Sequence, residues 1–256
     1  MARLTPAVLR SLDILELFLG PDATLSAPEV AQRTGLPRTT VHELLVTLNE
    51  RDYLDRDADT GRYRPGLRLF QLGNTYAERY DLVRGSTEVA RRVSAACNET
   101  VHVGVRDASF VVYIAKVDST RAVRMVSAVG RTLPAHCTGV GKVLLADLPA
   151  AELDRLYPSG QQLTPLTDQS ITSVAELRRQ VRAVAEGGLG FDIGESTVDV
   201  CCVAAPVRDH SGSTVAAMSI SVPTVRWTAE PRITWEQLVL DGARELSAQL
   251  GNTAAR

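Results

Sequence analysis

Two short helical patterns joined by a single glycine, close to the N-terminus, narrow the possible folds of this chain more than any other feature. Ser26 and Glu29 have the spacing of a capping box, so a helix is expected to begin directly after Ser26. Gly35 is expected to end that helix, because glycine tolerates the left-handed backbone conformation common at helix C-termini. A second helix is predicted from Leu36-Pro37 to Leu48, where apolar residues share one face. With a further amphipathic helix over residues 7–19, these patterns predict a helix-turn-helix.

A β-hairpin is predicted directly after the second helix. Two short runs, residues 53–56 and 62–65, flank the turn Asp59-Thr60-Gly61. A hairpin in this position is typical of the wing of a winged helix-turn-helix. The next apolar pattern, residues 66–84, indicates an amphipathic connecting helix. We therefore expect a winged helix-turn-helix domain over residues 1–66, a linker helix over 67–84 and a second domain over 85–256.

The second domain mixes strand and helix patterns, which makes α+β the expected fold class. Strands are predicted over residues 100–105, 110–117, 122–129, 200–207 and 214–222. Helices are predicted over residues 139–147, 173–186 and 235–250.

The charge balance gives no general support to nucleic-acid binding. The 256 residues carry 28 Lys+Arg against 30 Asp+Glu, and residues 1–80 alone carry ten Arg against eleven acidic residues. Any attraction to phosphates must therefore be local. Local attraction to phosphates is most favourable within residues 33–42, where the charged residues are Arg33 and Arg38.

The start of the second helix contains the candidate DNA contacts. In a helix-turn-helix this segment enters the major groove, where Arg and Thr side chains can bond bases or backbone. Arg62 and Arg64 in the wing are placed to reach phosphates or a minor groove. The full candidate set is Arg3, Ser26, Pro37, Arg38, Thr39, Thr40, His42, Arg62 and Arg64. The alternative is a small helical packing domain, used for example in dimerisation.

Several motifs, in order along nearly the whole chain, resemble the IclR family of bacterial transcriptional regulators. They are Gly35-Leu36-Pro37-Arg38-Thr39-Thr40-Val41-His42, Leu133 to Lys142, Cys202 to Val207 and Ala217 to Val222. The resemblance implies a winged helix-turn-helix, a linker helix and a GAF-like α/β domain that binds a small-molecule effector. It also implies dimers or dimers of dimers on palindromic DNA operators, and action as repressor or activator. Three residues depart from the family pattern: Glu43 replaces a frequent Arg, Thr39 a Ser or Ala, and Cys201 an Arg.

The resemblance also implies where the effector binds, namely a mostly apolar cup in which backbone amides and small polar side chains hold an acid group. The matching residues are Gly139, Val140, Asp192, Cys202, Ser219 and Ser221. Met125 and Leu133 are candidate apolar walls, His136 is a candidate ligand or helix cap, and Glu195 is an alternative to Asp192. The implied effector is a small carboxylate, aromatic acids included. The alternative is that the same side chains only fill the core and a polar strand face.

The chemistry of these residues is compatible with an anion site. A helix beginning near Gly139 offers unpaired amides and a positive dipole end, which suit a carboxylate. Ser219 and Ser221 alternate along a predicted strand, so both hydroxyls lie on one side.

An enzyme is the rival class, and the sequence does not favour it. Gly139-Val140-Gly141-Lys142 is followed by Val143, whereas a P-loop requires Ser or Thr there. No Gly-x-Ser-x-Gly elbow occurs, and the histidines lack zinc-ligand spacing with the cysteines, so neither metal nor cofactor is expected. A sensor or assembly module without DNA binding is a further alternative, because of Glu43 and the acidic balance. Four cysteines without a secretion signal or a membrane-length apolar run favour a cytoplasmic protein.

Overall fold

The computed structural model describes residues 4–20, 22–79, 81–121, 128–229 and 231–253. The chain divides into two compact units, residues 1–80 and 81–256. None of the described helices is both long and apolar enough to span a lipid bilayer. The candidate residues Arg3 and Met125 lie outside the described ranges.

The N-terminal unit has the predicted order of helices followed by a hairpin. Its elements are α1 (Pro6–Glu16), α2 (Ala27–Thr34), α3 (Arg38–Glu50), β1 (Leu54–Arg56), β2 (Tyr63–Pro65) and α4 (Leu67–Arg79). A 3₁₀ turn over Leu17–Leu19 extends α1. The predicted linker helix over 67–84 falls on α4 and on the start of the first helix of the C-terminal unit.

The turn between α2 and α3 is set by local chemistry. The amide of Ser26 donates to the Glu29 carboxylate at 2.6 Å, and the amide of Glu29 donates to the Ser26 hydroxyl at 3.4 Å. This is the predicted capping box, and such a cap stabilises a helix by about 1 kcal/mol. Gly35 has a φ of 69° and donates its amide to the Ala31 carbonyl, which ends α2.

A compact apolar core holds α3 against the other elements of this unit. The buried residues are Ile14, Leu25, Val30, Val41, Leu45, Leu48, Leu54 and Tyr63. The wing is an antiparallel pair in which Leu54 lies opposite Pro65, and Leu25 forms a bridge with Tyr63 beside it. Because one face of α3 is buried in this core, its other face is directed outward.

The C-terminal unit contains six strands and six helices within the described ranges. Its helices are α5 (Asp81–Cys97), α6 (Gly139–Ala146), α7 (Ala150–Leu156), α8 (Val174–Gly187), α9 (Thr224–Trp227) and α10 (Arg232–Gln249). Its strands are β3 (Thr100–Asp107), β4 (Phe110–Val117), β5 (Thr132–Pro134), β6 (Gly190–Ile193), β7 (Val200–Arg208) and β8 (Thr214–Pro223).

The six strands form one antiparallel sheet in the order β5-β4-β3-β8-β7-β6. On one face, α5 and α10 pack over a core that includes Val203, Met218, Ile220 and Trp235. On the other face, α6 and α8 pack over a second core that includes Ala204 and Ala217. A sheet with helices on both faces confirms the predicted α+β fold class.

One predicted strand is partly wrong. Residues 122–127 lie outside the described residues, but Ala128 and Val129 belong to a turn rather than to a strand. Gly130 has a φ of 84°, and the amide of Arg131 bonds the carbonyl of Ala128 at 3.2 Å, which closes the turn. The strands β5 and β6, the helices α7 and α9, and the part of α5 after residue 84 were not predicted.

Candidate functional site

The first turn of α3 presents the predicted DNA contacts to solvent. Pro37, Arg38, Thr39 and His42 are exposed, and Thr40 is half-buried. Among the described residues, Arg38 has no acidic partner, so its guanidinium is available for an external anion. At about 100° per residue, Thr39 lies on the side of the helix opposite the buried Val41, and Arg38 is exposed as the first residue of α3.

Arg62 is held inside the N-terminal unit. Its guanidinium donates to the hydroxyl and to the carbonyl oxygen of Thr24, each at 2.9 Å, and pairs with Glu29 at 2.9 Å. The Ser26 hydroxyl also donates to Glu29, at 2.7 Å. Hydrogen bonds from Ser26, followed by those from Arg62, lower the pKa of Glu29 to about 2. The candidates Ser26 and Arg62 therefore hold the start of α2 next to the wing.

Arg64 is the exposed basic residue of β2. Its guanidinium donates two hydrogen bonds to the Asp55 carboxylate on β1, at 2.8 and 2.5 Å. Both side chains are about half exposed, so the pair contributes little to stability and can exchange partners.

A row of buried polar side chains crosses the face of the sheet that meets α6. It consists of His102, Asp192, Cys202, Ser219 and Ser221, which we call the polar row. In the sheet register, Asp192 lies opposite Cys202, Cys202 opposite Ser221, and His102 opposite Ser219. The register thus brings together four of the predicted effector contacts.

The polar row contains a chain of hydrogen bonds. The Cys202 thiol donates to the Ser221 hydroxyl at 3.2 Å, and Ser221 Oγ lies 3.3 Å from His102 Nδ1. The His102 ring is 3% exposed and lies 5.0 Å from the Tyr113 ring. Burial, together with the positive charge of Lys116, lowers the pKa of His102 to about 4. The imidazole is therefore neutral near pH 7, with one donor and one acceptor nitrogen.

Asp192 is buried, and its carboxylate is already bonded within the chain. It accepts from the amides of Glu195 and Ser196 at 2.7 and 3.2 Å, and from the Ser196 hydroxyl at 2.5 Å. Burial nevertheless raises its pKa to about 6, since desolvation outweighs these bonds. Asp192 shapes the end of the polar row rather than offering free acceptors.

Lys142 and Glu195 form a buried ion pair beside Asp192. Lys142 Nζ lies 2.5 Å from Glu195 Oε1 and donates to the Phe191 carbonyl at 2.8 Å, and the lysine is 1% exposed. Burial raises the pKa of Glu195 even though Lys142 opposes the effect. Within the described ranges Glu195 Oε2 is buried and has no hydrogen-bond partner. This oxygen is a free acceptor close to the polar row.

The N-terminus of α6 lies against the sheet because two glycines allow it. A Cβ on Gly139 would lie 3.0 Å from the Gly190 carbonyl oxygen and 3.5 Å from the Cβ of Ala204, which pairs with Ser219. The Thr138 hydroxyl caps the helix by accepting the amide of Gly141 at 2.9 Å. In the described part of the chain, the amides of Gly139 and Val140 have no acceptor. Two free amides thus lie next to the polar row.

Two other predicted contacts, His136 and Leu133, have partners within the chain. His136 Nε2 lies 3.1 Å from the Thr164 carbonyl oxygen, and its ring contacts Tyr157 edge-on. Leu133 pairs with Val111 at the sheet edge and packs against the core under α6. These partners fix β5 and the segment after α7 that contains Tyr157 and Thr164.

His102, Tyr113 and Lys142 are site residues that sequence reasoning missed. A usable signal existed for Lys142, because a charge inside the apolar run Val140–Leu145 requires a buried partner. His102 alternates with the buried Val101 and Val103, which places it on the opposite face of β3. No signal in the sequence identifies its pairing with Ser221, which depends on strand order.

Comparisons with known proteins agree on one family across both units. The model described as "IclR helix-turn-helix domain" matches residues 7–58, and that described as "Bacterial transcriptional regulator IclR C-terminal" matches residues 74–248. The HTH-type transcriptional regulator KdgR of Escherichia coli (strain K12) is 34% identical over 245 residues, which cover 96% of this chain and 92% of KdgR.

Solved structures show the same fold. A transcriptional regulator from Rhodococcus sp. RHA1 is 28% identical, with a TM-score of 0.82 over 96% of this chain and 98% of that one. An IclR homolog from Microbacterium hydrocarbonoxydans, complexed with 4-hydroxybenzoate, is 21% identical, with a TM-score of 0.83 over 95% and 98% of the two chains.

Proposed function

This chain belongs to the IclR family of bacterial transcriptional regulators, and from that premise we propose which residues dock on DNA and which hold the effector. It is a DNA-binding regulator with an effector-binding C-terminal domain, and not an enzyme. The assignment of residues is supported by the exposed first turn of α3 in the N-terminal unit and, in the C-terminal unit, by the buried polar row beside the free amides of α6.

The first turn of α3 enters the major groove, with Arg38 as its principal cation. Arg38 is exposed and without an acidic partner among the described residues, so it can bond a guanine edge or a phosphate without breaking an internal pair. Thr39, Thr40 and His42 add hydroxyl and imidazole contacts. Arg64 exchanges Asp55 for a phosphate, whereas Arg62 keeps the wing in position through Thr24 and Glu29.

The effector lies over the polar row, beside the N-terminus of α6. Its carboxylate accepts hydrogen bonds from the amides of Gly139 and Val140, where the positive end of the helix dipole favours an anion. Ser219 and Ser221 contribute hydroxyls, and Glu195 Oε2 accepts from a hydroxyl on the effector. The ligand is a small carboxylate, and aromatic acids are included because the structurally similar Microbacterium protein holds 4-hydroxybenzoate.

The protein acts as a homodimer or a dimer of dimers in the cytoplasm. Val8, Leu9 and Leu12 on α1 are 42–56% exposed, and a second copy of this chain would cover them. A two-fold assembly suits a palindromic operator, and a bacterial regulator must reach the chromosome. Light scattering of the purified protein measures the assembly directly.

Binding to a fluorescent duplex from the upstream region of its own gene, across salt concentrations, tests the DNA contacts. The Arg38→Ala variant should weaken binding and reduce the slope of log affinity against log salt by about 1, since one phosphate contact is lost. Arg155→Ala, an exposed arginine of the C-terminal unit, is the matched control and should bind as the unmodified protein does. Equal affinities and slopes for all three proteins would contradict the assignment.

Thermal stabilisation by acetate, pyruvate, benzoate and 4-hydroxybenzoate, with benzyl alcohol as an uncharged control, tests the effector site. At least one acid should raise the Tm of the unmodified protein and should act far less on Ser221→Ala. Ser211→Ala, in an exposed loop, should respond normally. An acid that stabilises all three proteins equally would place the effector elsewhere.

A further inference from the structure

The outward face of α3 carries two side chains that the proposed DNA contacts do not use. A helix advances by about 100° per residue. With Val41, Leu45 and Leu48 buried on one side, the opposite side therefore carries Thr39, Glu43 and Val46. This is the face that meets the groove when the first turn of α3 docks.

Val46 is an apolar side chain left 41% exposed on this face. It lies within one turn of the buried Leu45 and Leu48 but is not part of the apolar core of the N-terminal unit. An exposed valine in the middle of a major-groove helix has one apolar partner on DNA, the C5 methyl group of thymine.

Glu43 is a carboxylate on the same face, one helical turn before Val46. Its side chain is exposed and makes no ion pair or hydrogen bond within the described ranges, and only its backbone carbonyl is used, by the Thr47 hydroxyl at 2.8 Å. A carboxylate facing DNA is repelled by phosphates. That cost is offset where it accepts a hydrogen bond from the amino group of cytosine, the base donor that glutamate recognises.

We propose that Glu43 and Val46 are specificity-determining residues, with Glu43 accepting from a cytosine amino group and Val46 contacting a thymine methyl group. Their separation along the helix axis, about 4.5 Å at 1.5 Å per residue, is close to one base-pair step. The two bases are therefore expected in neighbouring base pairs of each half-site. The inference rests on the proposed docking of α3 in the major groove.

The competing explanation is that Glu43 only repels DNA and so lowers affinity for every sequence. The two explanations differ in base preference rather than in affinity. Removing a side chain that bonds a base changes which base is selected, whereas removing a repelling charge strengthens binding to all duplexes alike.

Selection from a library of random-sequence duplexes, followed by sequencing of the bound fraction, separates them. Five full-length proteins are compared: the unmodified chain, Glu43→Ala, Glu43→Gln, Val46→Ala and Glu50→Ala. Glu50 is the matched control because it is exposed on the same face and carries the same charge. It lies about 10 Å further from the N-terminus of the helix, beyond the residues that approach the bases.

In Glu43→Ala, the preference for cytosine at one position of each half-site should fall by about tenfold. In Glu43→Gln, the preferred base should change from cytosine to adenine, whose N6 and N7 match an amide. Val46→Ala should lose the thymine preference at the neighbouring position, and Glu50→Ala should keep both preferences.

Tighter binding by both Glu43 variants with an unchanged cytosine preference would overturn the inference. If the unmodified protein enriches no sequence at all, the proposed docking of α3 itself fails. If the unmodified protein enriches a sequence but none of the α3 variants changes its base preferences, the docking of α3 stands and only the readout by Glu43 and Val46 is overturned.

Discussion

Replacement of His102 by asparagine is predicted to make the C-terminal unit progressively less stable, relative to the unmodified protein, as the pH rises. Burial holds the pKa of His102 at about 4, whereas its ordinary value is 6.5. Between these pH values the unfolded chain carries a proton on this residue and the native protein does not. Protons therefore favour the unfolded state, and the stability of the native protein rises with pH through this window. Asparagine does not titrate, so the variant lacks this rise.

The size of the effect follows from the same two pKa values. A difference of about 2.5 in pKa corresponds to about 3–4 kcal/mol, at about 1.4 kcal/mol for each pKa unit. Solvent screens this difference little, because His102 is 3% exposed. The charged groups that face it, Lys116 and Asp118, are present in both proteins.

Urea unfolding at pH 4, 5, 6 and 7 measures this difference. Both tryptophans, Trp227 and Trp235, lie in the C-terminal unit, so their fluorescence reports its unfolding. The variant Asp192→Asn is the comparison, because its stability relative to the unmodified protein should change with pH in the opposite direction. Burial raises the pKa of Asp192 from 3.8 to about 6, so its ionisation lowers stability in that window, and its removal should produce a relative gain of about 3 kcal/mol. Differences from the unmodified protein that stay constant with pH for both variants would refute the reasoning.

Three further predictions concern stability. Ser26→Ala removes the capping box of α2 and should cost about 1 kcal/mol, measured as earlier loss of helical circular dichroism from the N-terminal unit on heating. Gly141→Ala would put a Cβ 2.1 Å from the Ala135 carbonyl oxygen, so urea unfolding should show a loss of about 3 kcal/mol, whereas Gly187→Ala, in open space within a helix, should be neutral or stabilising. Lys142→Met leaves Glu195 as an unpaired buried carboxylate and should cost about 3–5 kcal/mol at pH 7. The deficit should shrink at pH 5, because the pKa of Glu195 is already raised and the group takes up a proton; an equal deficit at both pH values would count against this.

The N-terminal unit could be predicted closely because its signals are local. The capping box at Ser26 and the left-handed Gly35 are decided by residues within one turn, and both have the predicted geometry. The wing is a hairpin whose turn is fixed by Asp57, which accepts from the amides of Asp59 and Thr60. Local patterns do not reveal side-chain partners, so the engagement of Arg62 by Thr24 and Glu29 was not foreseen.

The C-terminal unit could be predicted mainly in its long elements, although α5 was predicted only as far as residue 84. The short edge strands β5 and β6 have three and four residues, too few to show alternation, and they form only because long neighbours pair with them. Prediction of the site from the sequence has the same limit. That Ser219 and Ser221 share one face follows from their spacing, but the approach of His102 to Ser221 depends on β3 lying beside β8.

The response of DNA affinity to a bound acid tests most directly the central proposal, that an effector held at the polar row controls the affinity of this regulator for DNA. The Kd for a selected duplex is measured by fluorescence anisotropy, with and without the acid that stabilises the protein most, for the unmodified chain and for the double variant Ser219→Ala and Ser221→Ala. The acid should change the Kd of the unmodified protein by about fivefold or more. The double variant should bind the duplex normally and should not respond. A double variant that responds as strongly as the unmodified protein would contradict the claim.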